Sequence, residues 1–322
     1  MLNNKFSRFR SKHAEIMILS LVLANLLVLI AILTGGKFLQ IHIFETMAFQ
    51  MPLLGLLTLA QLIPLLTGGV DLAIISTTNL CGIIVALILT QLDAWYTTPL
   101  AILAGITVSL AVGTLNGFII AFLEVSPIIA TLGTMILIKG IALAITEGYV
   151  IAGFPKEFLF IGGGSLLGIP MPFIIFVLFA VFMAITLYRT SFGVSVYMLG
   201  SNPVATLFSG INNKSILFRT YLISGFLSGV ASLVMISRFN AAQADYGASY
   251  LLLTVLICVL GGVNPAGGSG KVLGLVIAVA ILQIVASGFN LLGFSSHLAN
   301  ALWGIILILV IIFNRLLTKV YT

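Results

Sequence analysis

Charge is scarce in this chain. Eight acidic and 14 basic residues among 322 make 7% of the total, against roughly 25% in an average soluble domain. So few ionised groups cannot cover the surface of a fold that lives in water. Cysteine is rarer still: Cys81 and Cys258 each sit inside an apolar run, which implies buried thiols and no disulfide or metal framework. A phosphate loop is missing too. Gly261–Lys271 has the right flavour, but Pro265 stands where the first Walker A glycine belongs, and Val272 follows Lys271 in place of Ser or Thr. The chain is therefore expected to carry no nucleotide site and no cofactor of its own.

What is present is hydrocarbon. Hydrophobic residues make up 61% of the chain and the mean hydropathy is +1.26. A window of about 20 residues, the length of one membrane crossing, finds ten apolar runs. They lie near 16–34, 46–66, 72–90, 99–123, 127–147, 170–188, 216–236, 249–264, 272–290 and 297–314. The predicted fold is an all-α polytopic membrane protein of about ten transmembrane helices. The run at 16–34 is too long for a signal-peptide core and lacks a small-residue cleavage site, so it is read as a retained span.

Charge placement orients the spans. Lys5, Arg8, Arg10 and Lys12 precede the first run, and the positive-inside rule puts them in the cytoplasm. Ten spans then return the C-terminus, with Arg315 and Lys319, to the same side. Residues 1–15 are thus expected to be a cytoplasmic basic N-terminus and 16–188 six spans. Residues 189–215 form a cytoplasmic segment, 216–314 four further spans and 315–322 a cytoplasmic C-terminus. The basic surplus is an orientation signal, with no nucleic acid implied.

The 189–215 segment, RTSFGVSVYMLGSNPVATLFSGINNKS, is a polar break with helical character. Asn202 followed by Pro203 predicts an N-cap and first turn, hence a short helix over Asn202–Ser209 held outside the bilayer as a docking element. Within the spans, ionisable and amide groups mark candidate pathway positions, because each is costly in hydrocarbon. Lys139 falls near mid-depth. Asp71 follows Gly68 and Gly69 and either caps the next span or makes a gating contact. Asn79 and Asn116 are amides suited to hydroxyl groups or to interhelical hydrogen bonds, as are Gln61, Gln283 and Asn290. No carboxylate is expected at mid-depth, where an ion-coupled transporter needs them in pairs; that class is the alternative reading. Gly267-Gly268-Ser269-Gly270 also matches a membrane serine-protease loop. However, a full span of about 30 Å separates Ser269 from His297, where a nucleophile and base need about 3 Å.

Five stretches, in order, carry a resemblance. They are LLTGGVDLA (65–73), NGFIIAFLEVSPIIATLGTMILIKGIAL (116–143), RTSFGVSVYMLGSNPVATLFSGIN (189–212), ISGFLSGVASLV (223–234) and LGGVNPAGGSGKVLG (260–274). Together they resemble permease subunits of simple-sugar, ribose-type bacterial ABC importers, a type II importer fold. RFNAAQADYGAS (238–249) leans towards the rhamnose and autoinducer-2 branch. The resemblance implies a multi-pass protein of the inner membrane that passes a monosaccharide or sugar-like solute. Its implied partners are a cytoplasmic ABC ATPase holding ATP and Mg, a periplasmic sugar-binding protein and a second permease subunit, homo- or heterodimeric. On this likeness Arg189, Gly193, Gly200, Asn202, Pro203, Ala205 and Gly210 would couple to the ATPase, and Asp71, Asn79, Asn116 and Lys139 would line the pathway. The chain departs from the family pattern at Ala73-Ile74-Ile75 and across Tyr250–Cys258, where small or polar residues are usual.

Overall fold

The structure is a computed structural model that describes residues 2–92 and 94–294, together with positions 298, 301, 302, 304 and 305. His297, most of the predicted tenth span and the cationic end with Arg315 and Lys319 lie outside the described residues. Among the described residues are twelve α-helices, with a 3-10 turn at Lys37–Leu39 and two short strand pairs between them: α1 Leu2–Leu33, α2 Ile41–Leu66, α3 Ile74–Gln91, α4 Thr97–Ala121, α5 Pro127–Thr146, α6 Lys156–Gly163, α7 Met171–Arg189, α8 Ser191–Ser201, α9 Pro203–Phe208, α10 Asn213–Phe239, α11 Tyr250–Leu260 and α12 Val272–Leu291. Eight of these, α1 to α5, α7, α10 and α12, are long and apolar enough to cross a membrane. The chain is an all-α polytopic membrane protein. We call the end of the bundle bearing α8 and α9 inner, and the opposite end outer.

The helices stop where the backbone must turn. Gly68, Gly148 and Gly262 follow α2, α5 and α11 at φ +83°, +80° and +83°, a region glycine enters without a Cβ penalty. Pro127 opens α5 and Pro203 opens α9 at the first turn, where a missing N–H costs nothing.

The bundle is built around α10. Its buried face carries Ser224, Gly225, Ser228, Gly229 and Ser232, small residues that let neighbouring backbones come close when no hydrophobic drive separates protein from lipid. α4 answers with Ser109 and Gly113. A Cβ on Gly225 would lie 2.5 Å from the Ser109 carbonyl and 2.9 Å from Gly113 Cα. Serine hydroxyls close the remaining gaps: Ser232 donates to Thr78 O at 2.6 Å, and Thr78 to Ser228 O at 3.1 Å, tying α10 to α3.

One predicted span is different. The run at 249–264 yields only α11, an 11-residue helix about 16 Å long, half of a 30 Å hydrocarbon core. The chain before it re-enters the bundle. After α10 ends, Ala241–Ala242 pairs with Ile151–Ala152 of the outer loop, and residues 243–247 then descend. Asn79 of α3 donates to Ala244 O (2.8 Å) and Tyr246 O (3.0 Å). Its neighbour Thr78 bonds to Ser228 and Ser232, so the loop reaches a level on the order of 10 Å below the outer end of α10. Non-helical backbone at such depth persists only where protein or a cavity satisfies it, and the Asn79 amide does so.

The α4–α10 contact predicts that Gly225→Leu will lower stability by about 1–3 kcal/mol through overpacking. Gly133→Leu on α5, with nothing within 4 Å of its Cβ position, is expected to leave thermal unfolding in detergent unchanged.

Candidate functional site: a charged cavity and an inner connector

At the tip of the re-entrant loop, Asp245 Oδ1 meets Lys139 Nζ at 2.6 Å. Lys139 is the thirteenth residue of α5, roughly 18 Å from its inner end, so the pair sits at mid-depth. This corrects the expectation of no carboxylate there. Asp245 belongs to a polar stretch that hydropathy assigns to an outer loop, and only the descent of that loop brings it inward. The carboxylate is single and neutralised by lysine. Around the pair opens a cavity of about 490 Å³, lined by Ser76, Asn79, Tyr246 and apolar groups including Met135, Ile136 and Leu251. Asn79 Oδ1 is buried in its wall without a hydrogen-bond donor. Of the four pathway candidates, Lys139 and Asn79 meet here; Asp71 and Asn116 do not.

Asp71 lies in the turn between α2 and α3, buried. Ser224 Oγ donates to its Oδ2 at 2.7 Å and the Ala73 N–H to its Oδ1 at 3.0 Å. The Gln61 amide, turned with its nitrogen to Asp71 O (2.8 Å), holds the same backbone from α2. Burial outweighs these bonds and pushes the carboxyl up to about 6. Asn116 is buried on α4 with its Oδ1 unpaired. Gln283 donates across to Gln50 of α2 at 3.0 Å, an interhelical bond, and along its own helix to Ser287 at 3.2 Å.

The 189–215 segment holds two helices where its sequence announced one. Thr190 caps α8, accepting the Gly193 N–H at 3.2 Å, and Gly193 packs on the Leu187 backbone at the end of α7; Arg189 closes α7. Asn202 Oδ1 caps α9 through the Ala205 N–H at 3.0 Å, with Pro203 at the first turn. Val204, Leu207 and Phe208 project from α9, Phe208 being 87% exposed. Gly210 follows at φ +77° with open space around it. Between α9 and the span ends lies a crevice of about 870 Å³ edged by Lys214 and Glu124, which pair at 2.8 Å.

Gly200 does something sequence reasoning did not foresee. A Cβ there would run into the Leu66 carbonyl and the Gly268 N–H, because α8, the end of α2 and the 264–271 turn meet at that point. Gly268 N donates to Leu66 O at 2.9 Å. Tyr197 of α8 donates to Gly270 O at 2.9 Å, and Tyr188 of α7 accepts from the Val272 N–H at 2.8 Å. The turn holding Ser269 is therefore a connector from α8 to both α11 and α12. Gly200 is packed inside, so its bulk cannot report on an external partner.

Eight membrane-length helices, a re-entrant loop that brings an ion pair to a cavity, and a capped helix at one end of the bundle make the chain a polytopic membrane protein with a charged interior site. Residues 43–311 match the family described as branched-chain amino acid transport system / permease component; the chain belongs to this family, and as a permease component it is a transport subunit. It is 31% identical over 301 residues to the autoinducer 2 import system permease protein LsrD of Escherichia coli (strain K12), covering 91% of this chain and 90% of that protein. Against the protein of the same name from Salmonella typhi it is 32% identical over 286 residues, 87% and 85% of the two chains. No solved structure matches the chain.

Because Asp71 is held above its unfolded value, its contribution to stability is complete below about pH 4 and is lost as pH rises to about 6. Melting curves across that window should show the loss in the wild type and a flatter profile in Asp71→Asn.

Proposed function

We propose that this chain is the permease subunit of an ATP-driven bacterial importer for a small neutral, sugar-like solute of the autoinducer 2 kind. It resides in the inner membrane with the α8–α9 end in the cytoplasm. The observation that carries this reading is the Lys139–Asp245 pair at the tip of a re-entrant loop. A mid-depth cavity with a cation, a carboxylate and the Asn79 amide offers donors and acceptors together while keeping net charge at zero. Such a lining suits hydroxyl groups. Transporters use broken helices for the same purpose, exposing backbone only where it lines a binding cavity.

Energy enters from a partner ATPase. α9 is the docking element, with Leu207 and Phe208 exposed to receive an apolar groove; the rest of the coupling set, Arg189, Gly193, Gly200, Asn202, Pro203, Ala205 and Gly210, shapes and anchors it. A push on α9 reaches α8, then the 264–271 turn through Gly200 and Tyr197, then α11, whose far end adjoins the re-entrant loop. A periplasmic binding protein delivers solute, and a second permease subunit completes the passage. An ion-coupled transporter is the other reading, favoured by the mid-depth Asp245. The lysine beside it weakens that case, since a carboxylate already neutralised has little need of a proton or sodium ion.

Two outcomes test this. Lys139→Leu leaves Asp245 unpaired and should cut the initial uptake rate about tenfold, the effect of a 1.4 kcal/mol rise in barrier, with normal membrane insertion. Uptake at the wild-type rate would make the lysine structural. Replacing Leu207 and Phe208 by alanine should abolish co-purification of the ATPase, as loss of central apolar anchors does, while the melting temperature stays put. Retained ATPase would remove the docking role.

A further inference from the structure

A second cavity, of about 340 Å³, lies between α2, α10, α11 and α12. Its polar lining is Arg238, Gln50, Gln283, Ser249 and Tyr250, with no aspartate or glutamate. Arg238 is half-buried and has no carboxylate partner among the described residues, whose ion pairs are Lys139–Asp245 and Lys214–Glu124. Gln50 accepts from Gln283 through its oxygen, which leaves its amide nitrogen to face other acceptors. The guanidinium, the Gln50 amide N–H₂ and two hydroxyls give the cavity one cation and several donors, with no anionic acceptor in its lining. That is the chemistry of an oxyanion site, and the planar guanidinium matches two oxygens of a phosphate.

The opposite wall is hydrocarbon. Leu53 and Leu54 lie one turn inward of Gln50, Leu253 one turn inward of Tyr250, and Leu282 beside Gln283. Arg238 is the second-last residue of α10, seventeen residues beyond Tyr221, which packs on the Gly69 turn at the inner end. That is about 25 Å at helical rise, close to the outer edge of a 30 Å apolar slab, where lipid phosphates lie.

We propose that this cavity binds the phosphodiester headgroup of an anionic membrane lipid in the leaflet at the outer end. Arg238 and Gln50 hold the phosphate oxygens, and the leucines receive the glycerol and first acyl carbons. With no carboxylate in the lining to accept an ammonium, an anionic headgroup is preferred to a zwitterionic one. The lipid would clamp Arg238 at the end of α10 to Tyr250 at the start of α11, the two ends between which the re-entrant loop hangs. The inference does not depend on the transported solute.

The test uses the purified full chain, delipidated in detergent, and short-chain phosphatidylglycerol as probe. At ten times its dissociation constant the lipid should raise the melting temperature by about 2–4 °C. Arg238→Gln should abolish the rise, and phosphatidylcholine of equal chain length should give less than half of it. Leu253→Trp fills the apolar wall without touching the cation, and should weaken the lipid effect at least tenfold in concentration. A rise produced equally by inorganic phosphate and insensitive to Leu253→Trp would assign the site to a free oxyanion and overturn the lipid. An equal rise in Arg238→Gln, or none in the wild type, would overturn the site altogether. If Arg238→Gln does not fold, the Leu253→Trp comparison decides alone.

Discussion

The outer half of this molecule is organised around an ion pair at mid-depth, Lys139 with Asp245, each side chain about half exposed to the cavity. A lone charge at mid-depth is expensive, by about 2.5–3.5 kcal/mol on insertion scales, and Lys139 on α5 would carry that cost unaided. Asp245 relieves it, but only because the non-helical chain of residues 243–247 comes down to meet the lysine. That descent in turn needs partners for its own backbone, and Asn79 supplies them through Ala244 and Tyr246. The ion pair, the amide and the loop thus require one another. Their joint consequence is a short α11 and a cavity of about 490 Å³ whose largely apolar wall carries one neutral ion pair and an amide.

The inner half answers to a different constraint, close approach of backbones. Gly200, Gly267 and Gly268 bring α8, the end of α2 and the 264–271 turn within hydrogen-bonding reach. Tyr188 and Tyr197 then staple the turn from the other side. Rigid contacts of this kind move as a unit. A displacement of α9 therefore has a physical route to α11, and through α11 to the loop that carries Asp245. The cavity and α9 stand at opposite ends of one continuous set of packed contacts.

How much of this could be read from the chain depends on distance along it. Spans were legible because each is decided by its own twenty residues, and the run boundaries agree closely with α2, α3, α5, α7 and α12. The α9 cap was legible for the same reason, Asn202 and Pro203 being adjacent. The re-entrant loop was not. A hydropathy window over 249–264 merges α11 with the turn that follows, and RFNAAQAD reads as an ordinary polar connector. Asp245 lies 106 residues from Lys139, a spacing with no local signature. Lys139 itself was visible as an oddity in an apolar run; its partner was not. Gly200 was noticed as a glycine of the segment, yet the reason for it, a carbonyl of α2, exists only in the folded chain.

The most direct measurement of the central claim is thiol accessibility in the cavity. Cys81 and Cys258, both buried, would be replaced by serine, and single cysteines introduced at Ala248 and Leu143 in the cavity lining and at Gly133 on the open face of α5. In membranes holding the chain together with the proposed ATPase and second permease subunit, a water-soluble maleimide should label Ala248→Cys and Leu143→Cys, and the transported solute should protect both. Gly133→Cys should show no protection. Labelling of the cavity positions that ignores solute, or protection that appears equally at Gly133, would contradict a passage built on Lys139 and Asp245.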